Sequence, residues 1–234
     1  MVTAILFDLD GTLLPMDQDV FLNAYLGELA AKMTSHGYDP KLLVKSIWKG
    51  TGAMVINDGS ASNEEVFWKV LSAIYGKDVR RDEPIFLDFY LNEFQNVRKA
   101  CGFDQLAAEA IREIKAMGYR VALATNPLFP AVATHSRIRW AGMEPNDFEY
   151  ITTYENSSRS KPNPDYYREV LDKINVSPEE CVMVGNDINE DMIAETLGMR
   201  VFLLTDSLIN RDNKDISQYP HGSFPELLNY IRSL

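Results

Sequence analysis

The sequence predicts an α/β fold in which a mostly parallel sheet is flanked by helices, with a smaller all-helical insertion after the first strand. Three observations carry this. Short apolar runs end at polar turn residues. Over the later part of the chain such runs alternate with helix-period stretches, as parallel sheets require. From about residue 18 to 97 only helical patterns occur, with no convincing strand between them.

In order along the chain, TAILF at 3–7 reads as a buried strand that runs into a turn at Asp8. FLNAYLGELAAKM, PKLLVKSIW, EEVFWKVLSAIYG and PIFLDFYLNEF then read as helices, divided by Gly37, the NDGSAS turn and the charged stretch 77–83. Ser62 and Glu65 form a capping-box pattern, in which the two side chains satisfy free amides at a helix start. From Asp104, DQLAAEAIREIKAMGY is an amphipathic helix leading into a strand at 119–124. Asn163 and Pro164 have the residue types of an N-cap and first helical position, and Tyr167, Val170, Leu171 and Ile174 follow on one helix face. Ser177, Pro178 and Glu180 repeat the capping signature in one short turn before a strand at 181–185. The helix NEDMIAETLG and a strand at 200–204 come next. EYITTY is a weaker strand candidate, 205–223 reads as a polar loop, and a closing helix starts near Pro225. An excursion as long as 17–97 needs a core of its own. The expected division is therefore a main α/β domain of 1–16 and 98–234 with an all-helical second domain of 17–97.

Composition narrows the function. With 46% hydrophobic and 24% charged residues the chain resembles an ordinary globular protein. No apolar run approaches the roughly 20 residues of a membrane span, and two aspartates come too early for a signal peptide, so a cytoplasmic location is expected. Cys101 and Cys181 lack partners at metal-ligand spacing and read as small buried apolar residues. A net charge of -11 without a basic cluster disfavours nucleic acid as a partner.

Ligands of an open parallel sheet bind outside the carboxyl ends of its strands. Asp8, Asp10, Gly11 and Thr12 follow the first strand, Thr125 and Asn126 the second, and Asp187 and Asp191 the 181–185 strand, while Lys161 precedes the 164–175 helix. Carboxylates about 4 Å apart repel by roughly 4 kcal/mol per pair at an effective dielectric near 20, a cost that a divalent cation removes. Oxygen-only ligation points to Mg²⁺. For a phosphate ester, Asp8 is then the candidate nucleophile, forming an aspartyl phosphate, and Asp10 the acid and base for leaving group and water. Thr125 and Asn126 supply donors to phosphoryl oxygens, and Lys161 neutralises charge.

DLDGT at 8–12, LATN at 123–126, the lysine of SKPNP at 160–164 and GNDINED at 185–191 resemble, in order, the four motifs of the haloacid dehalogenase superfamily. The resemblance implies a Rossmann-like core and a magnesium-dependent phosphatase acting on a small phosphorylated metabolite. It implies Asp8 as nucleophile and metal ligand, Asp10 as acid/base lending a backbone carbonyl to the metal, Asp187 as third protein ligand and Asp191 as a supporting acid. The last motif reads Gly-Asn-Asp rather than Gly-Asp. The metal-binding acid is aligned on Asp187, and ligation weakens if Asn186 holds that place. Asp10 argues against the dehalogenase branch, whose first motif lacks it. The 17–97 insertion resembles the helical cap that closes over the site.

Each motif alone is more often a common turn or a surface residue; the four together at strand and helix ends are not. Trp48, Trp68, Phe67 and Phe86 read as core residues. Lys49, near Gly50 and Gly52 in an expected turn, reads as solvated. His36, His135 and His221 show no partner. The rival readings are a phosphomutase of the same family and a non-catalytic phospho-acceptor or binding protein.

Overall fold

The computed structural model describes residues 1–234. Strands β1 (Ala4–Phe7), β2 (Arg120–Leu123), β3 (Cys181–Gly185), β4 (Arg200–Leu204) and β5 (His221–Gly222) form one sheet in the order β2-β1-β3-β4-β5, with every neighbouring pair parallel. β1 lies between β2 and β3, so the chain leaves it toward both edges, and the topological switch falls at the carboxyl ends of these three strands.

Alternate side chains of the strands enter two apolar layers. Ile5, Phe7, Val121, Val182 and Phe202 face one layer, and Ala4, Leu6, Ala122, Met183 and Val201 the other. The second layer is covered by α7 (Pro164–Ile174) through Tyr166, Tyr167, Val170, Leu171 and Ile174. This is the helix face expected from the sequence, enlarged by Tyr166. The first layer is covered by α5 (Gln105–Ala116) and α8 (Phe224–Arg232). Buried side chains of the 17–97 insertion, including Phe21, Tyr25, Leu29 and Trp68, belong to that same cluster. The insertion is thus continuous in packing with one face of the sheet.

The insertion is built from α1 (Gln18–Thr34), α2 (Pro40–Val55), α3 (Asn63–Tyr75) and α4 (Glu83–Leu91), followed by tight 3-10 turns over 93–100. Their starts are legible. Asp17 and Asp39 accept from the amides of Val20 and Leu42, and Ser62 and Glu65 complete the expected capping box.

Several expectations are corrected. Gly50 and Gly52 lie inside α2 rather than in a turn. Although glycine weakens a helix, a Cβ at Gly50 would stand 2.6 Å from the Phe67 ring, so the close approach of α2 to α3 requires it. Trp48 is half exposed rather than core. NEDMIAETLG forms only tight 3-10 turns over Met192–Leu197, because the short span from Asp191 to the left-handed Gly198 (φ +91°) leaves no room for a longer helix. EYITTY contributes a single bridge, Ile151 to Leu123. The 205–223 loop carries the two-residue β5 at its end. The sequence also does not place α6 (Ala131–Trp140), whose Thr134, Ser136 and Arg137 are buried along with its apolar residues, so that no polar face shows in the pattern. No helix is long and apolar enough to cross a membrane.

Candidate active site

The turn after β1 is set by its backbone. The Asp8 amide donates to Val184 O at 2.9 Å, which continues the β1–β3 pairing, and the amides of Leu13 and Leu14 return to Leu9 O. Gly11 adopts φ +86°, and a Cβ there would strike the side chain of Asn186. Gly185 ends β3 where a Cβ would collide with the Asp191 carboxylate. Gly11 therefore lets the first motif approach the last, and Gly185 lets the last motif fold back on the end of its own strand.

Lys161 is the hinge of the charge arrangement. Its ammonium donates to Asp8 Oδ1 at 2.8 Å and to Asp191 Oδ1 at 2.6 Å, with the lysine and Asp191 side chains each only 1% exposed. Burial alone would lower the lysine pKa, but the Asp191 and Asp8 carboxylates outweigh it and hold it well above its ordinary value. Burial pushes the Asp191 carboxyl up against the pull of Lys161, with the like charge of Asp8 adding to the rise. Asp8 Oδ2 accepts a longer bond, 3.2 Å, from the Thr12 hydroxyl, which also lies 2.9 Å from Asn186 Oδ1.

Asp10 is held differently. Its Oδ2 is paired with the buried guanidinium of Arg137 from α6, while its Oδ1 is buried and has no partner. Burial pushes this carboxyl up and Arg137 pulls it back, with Asp8 adding to the rise. Arg137 lies over the Phe129 ring at 4.4 Å from its centroid.

After β2, the Thr125 carbonyl accepts from the hydroxyls of Thr152 at 2.6 Å and Tyr166 at 2.8 Å, which fixes the turn. The Asn126 side-chain amide donates to Glu190 Oε2 at 3.0 Å, and its buried Oδ1 has no partner. After β3, Asp187 Oδ1 accepts from the amides of Asn189 and Glu190 at 2.7 and 3.0 Å, and the Asp187 amide donates to Asp191 Oδ2 at 2.9 Å.

Asp8, Asp10, Thr125, Asn126, Asp187 and Asp191 line one cavity of about 170 Å³, together with Asn186 and Glu190. Lys161 joins the group through its two carboxylate bonds. Every site residue expected from the sequence thus meets the others. Arg137 and Tyr166, which no sequence pattern marks, reach the site through tertiary packing alone, whereas Thr12 stands within the first motif and Glu190 within the last. No histidine or cysteine lines the cavity. Lys49 is exposed in a separate groove between α1 and α2 with Lys41 and Lys45, as expected of a solvated lysine.

The donors suit a hard cation. Five carboxylates line the cavity and only two cations, Lys161 and Arg137, bond to them. Glu190 is pushed up by burial, against Lys161, with the charges of Asp187 and Asp8 adding to the rise. No three His, Cys, Asp or Glu side chains lie close enough to form a metal cage by themselves. Magnesium takes one or two protein carboxylates and completes its shell with waters and substrate oxygens, so oxygen donors of this type would suit it.

The model of the family described as haloacid dehalogenase-like hydrolase matches residues 2–194. A phosphoglycolate phosphatase of Colwellia psychrerythraea is 26% identical over 98% of this chain and 96% of its own length. A glyceraldehyde 3-phosphate phosphatase of Methanothermobacter thermautotrophicus is 25% identical over 93% of this chain and 92% of its own. Among solved structures, a magnesium-bound HAD-hydrolase of Bacillus subtilis superposes with a TM-score of 0.57 at 18% identity over the full length of both chains, a likeness of fold. With its parallel sheet, its four motifs meeting at one cavity and a match over most of its length, this chain belongs to the haloacid dehalogenase-like hydrolase family.

Proposed function

We propose that the protein hydrolyses the phosphomonoester of a small metabolite by way of an aspartyl phosphate on Asp8. The observation that carries this reading is the ion-paired row Asp8, Lys161 and Asp191 on the wall of a cavity that also presents Asp10, Asn126 and Asp187. The phosphatase names of full-length relatives favour the same chemistry.

Lys161 fixes Asp8 Oδ1, and Oδ2, held only by Thr12, is the oxygen free to attack phosphorus. Asp10 protonates the departing alkoxide and then takes a proton from the water that cleaves the aspartyl phosphate. Asn126 and the Thr125 turn orient the phosphoryl oxygens, and Lys161 offsets their charge. Asp8 and Asp187, with the backbone carbonyl of Asp10, would hold Mg²⁺, and Asp191 supports them by tying the Asp187 amide to Lys161. When bound, the ion neutralises charge that builds up on the phosphoryl group. The 17–97 insertion serves as the helical cap over a core of 1–16 and 98–234, excluding water and choosing the leaving group.

Purified protein with Mg²⁺ should release inorganic phosphate from simple phosphomonoesters. The Asp8→Asn variant should be silent, and equal release by that variant would refute the assignment.

A further inference from the structure

A second and larger cavity, of about 410 Å³, adjoins the carboxylate site. It lies among α1, α2, α3 and α4 of the insertion and the segments at 128–132 and 154–155. Leu22, Leu128 and Phe129 line both cavities, so the two meet along that wall.

Its chemistry is the reverse of its neighbour's. Of its 18 lining residues 14 are hydrophobic, and no lysine, arginine or histidine is among them. Its two acids are already engaged, since Glu83 pairs with Arg80 and Glu155 accepts from the Ala131 amide at the start of α6. The hydroxyls of Tyr25 and Tyr90 lie 2.9 Å apart and satisfy each other. Nothing there calls for a charged ligand of either sign.

Interiors of folded proteins are packed to crystal density, so an apolar hollow of this size is a shaped feature. It exceeds by more than twofold the roughly 150 Å³ cavity that admits a benzene, and it falls in the range of about 300–1,000 Å³ typical of ligand sites. Half-exposed Trp48 in its lining places it near solvent.

We propose that this chamber receives the leaving-group half of the substrate, and that the substrate is the phosphate monoester of a neutral alcohol bearing an aromatic ring or an alkyl chain. This rests on the phosphohydrolase reading above and adds the substrate class to it. A leaving group with its own carboxylate, as in phosphoglycolate, would set a second anion among aromatic rings and two glutamates without a cation to meet it.

The test uses the full chain with Mg²⁺ and compares methyl, butyl, hexyl and phenyl phosphate with phosphoglycolate. The kcat/KM should rise by about fourfold for each methylene that enters the chamber, and phenyl phosphate should exceed phosphoglycolate. The Thr51→Trp variant, which fills the chamber from α2, should cut the hexyl-to-methyl ratio about tenfold or more. Hexanol should inhibit methyl phosphate hydrolysis by the unaltered protein, which keeps the test free of any folding defect in that variant. A flat chain-length series or a preference for phosphoglycolate overturns the chamber and leaves the hydrolase reading standing. Absence of phosphate release from every ester, relative to Asp8→Asn, overturns the hydrolase reading instead. The chamber is then judged by the fluorescence of Trp48 and Trp68, which phenyl and hexyl phosphate should perturb and phosphoglycolate should not; no response to either ester overturns it.

Discussion

The guanidinium of Arg137, buried in α6, is ion-paired with Asp10 of the first motif, 127 residues earlier in the chain. The pair ties the acid/base candidate to a helix that supplies no other residue to the carboxylate cavity. Arg137→Met should leave Asp10 without its partner. The expected cost in unfolding free energy is about 2–4 kcal/mol, toward the lower end because the Asp10 side chain keeps 22% exposure. The kcat should fall by about a hundredfold with little change in KM, and Arg137→Lys should recover part of it. Denaturant titration and steady-state kinetics check this, and wild-type kcat in Arg137→Met would contradict it.

At Gly185 a single added methyl acts on the charge row, since its Cβ would overlap the Asp191 carboxylate. Gly185→Ala should push Asp191 away from Lys161, lower stability by about 1–3 kcal/mol and reduce phosphate release to the level of Asp8→Asn. Thermal unfolding and a phosphate-release assay measure the two effects, and retention of activity would mean that the loop accommodates the methyl.

The neighbouring pair Asn186 and Asp187 can be separated by metal dependence. Asn186 Oδ1 lies 2.9 Å from the Thr12 hydroxyl and its Nδ2 donates to Ser207 O at 2.7 Å, whereas Asp187 uses Oδ1 to cap a turn. Asp187→Ala should raise the Mg²⁺ needed for half-maximal activity about tenfold or more. Asn186→Ala should lower stability with a smaller change in Mg²⁺ dependence. A magnesium titration of both variants decides, and the reverse ranking would move the metal-binding role to position 186.

Stability in acid should depend on Tyr38 and Asp82. The Tyr38 hydroxyl donates to the Asp82 carboxylate, and this bond, with help from Lys77, holds the carboxyl below its ordinary 3.8. A group whose folded pKa is depressed stabilises the fold above its unfolded pKa, and that contribution is lost as pH falls through the folded value. Tyr38→Phe should therefore lower unfolding free energy by about 1–2 kcal/mol at pH 7, and the gap should narrow below about pH 4. Urea unfolding of both proteins at pH 7 and pH 3 tests the sign.

The sequence was informative wherever one local rule decided the outcome. Strands at 181–185 and 200–204 keep their predicted bounds, and the caps at Ser62 and Asn163 form as expected. The seven residues expected at the site lie together because each stands near the end of an element, where sequence pattern marks the boundary. Arg137 is not so marked, since nothing in THSRIRW distinguishes a buried arginine from a solvated one until α6 is docked. Trp68 and Phe86 are buried, as their sequence context implies, but burial does not tell a packed ring from one beside a hollow. Gly50 resembles a turn residue in sequence because the nearness of Phe67, which requires it inside α2, is invisible in one dimension.

Asn186 is stapled at both ends to the stretch that follows β4, its side-chain amide to Ser207 O and its carbonyl to the Ile209 amide. A polar segment without any motif of its own thereby acts as a splint for the final acidic turn. Substitutions near 207–209 should be felt as slackness in that turn, so laboratory selection for altered turnover can find purchase there, outside every motif.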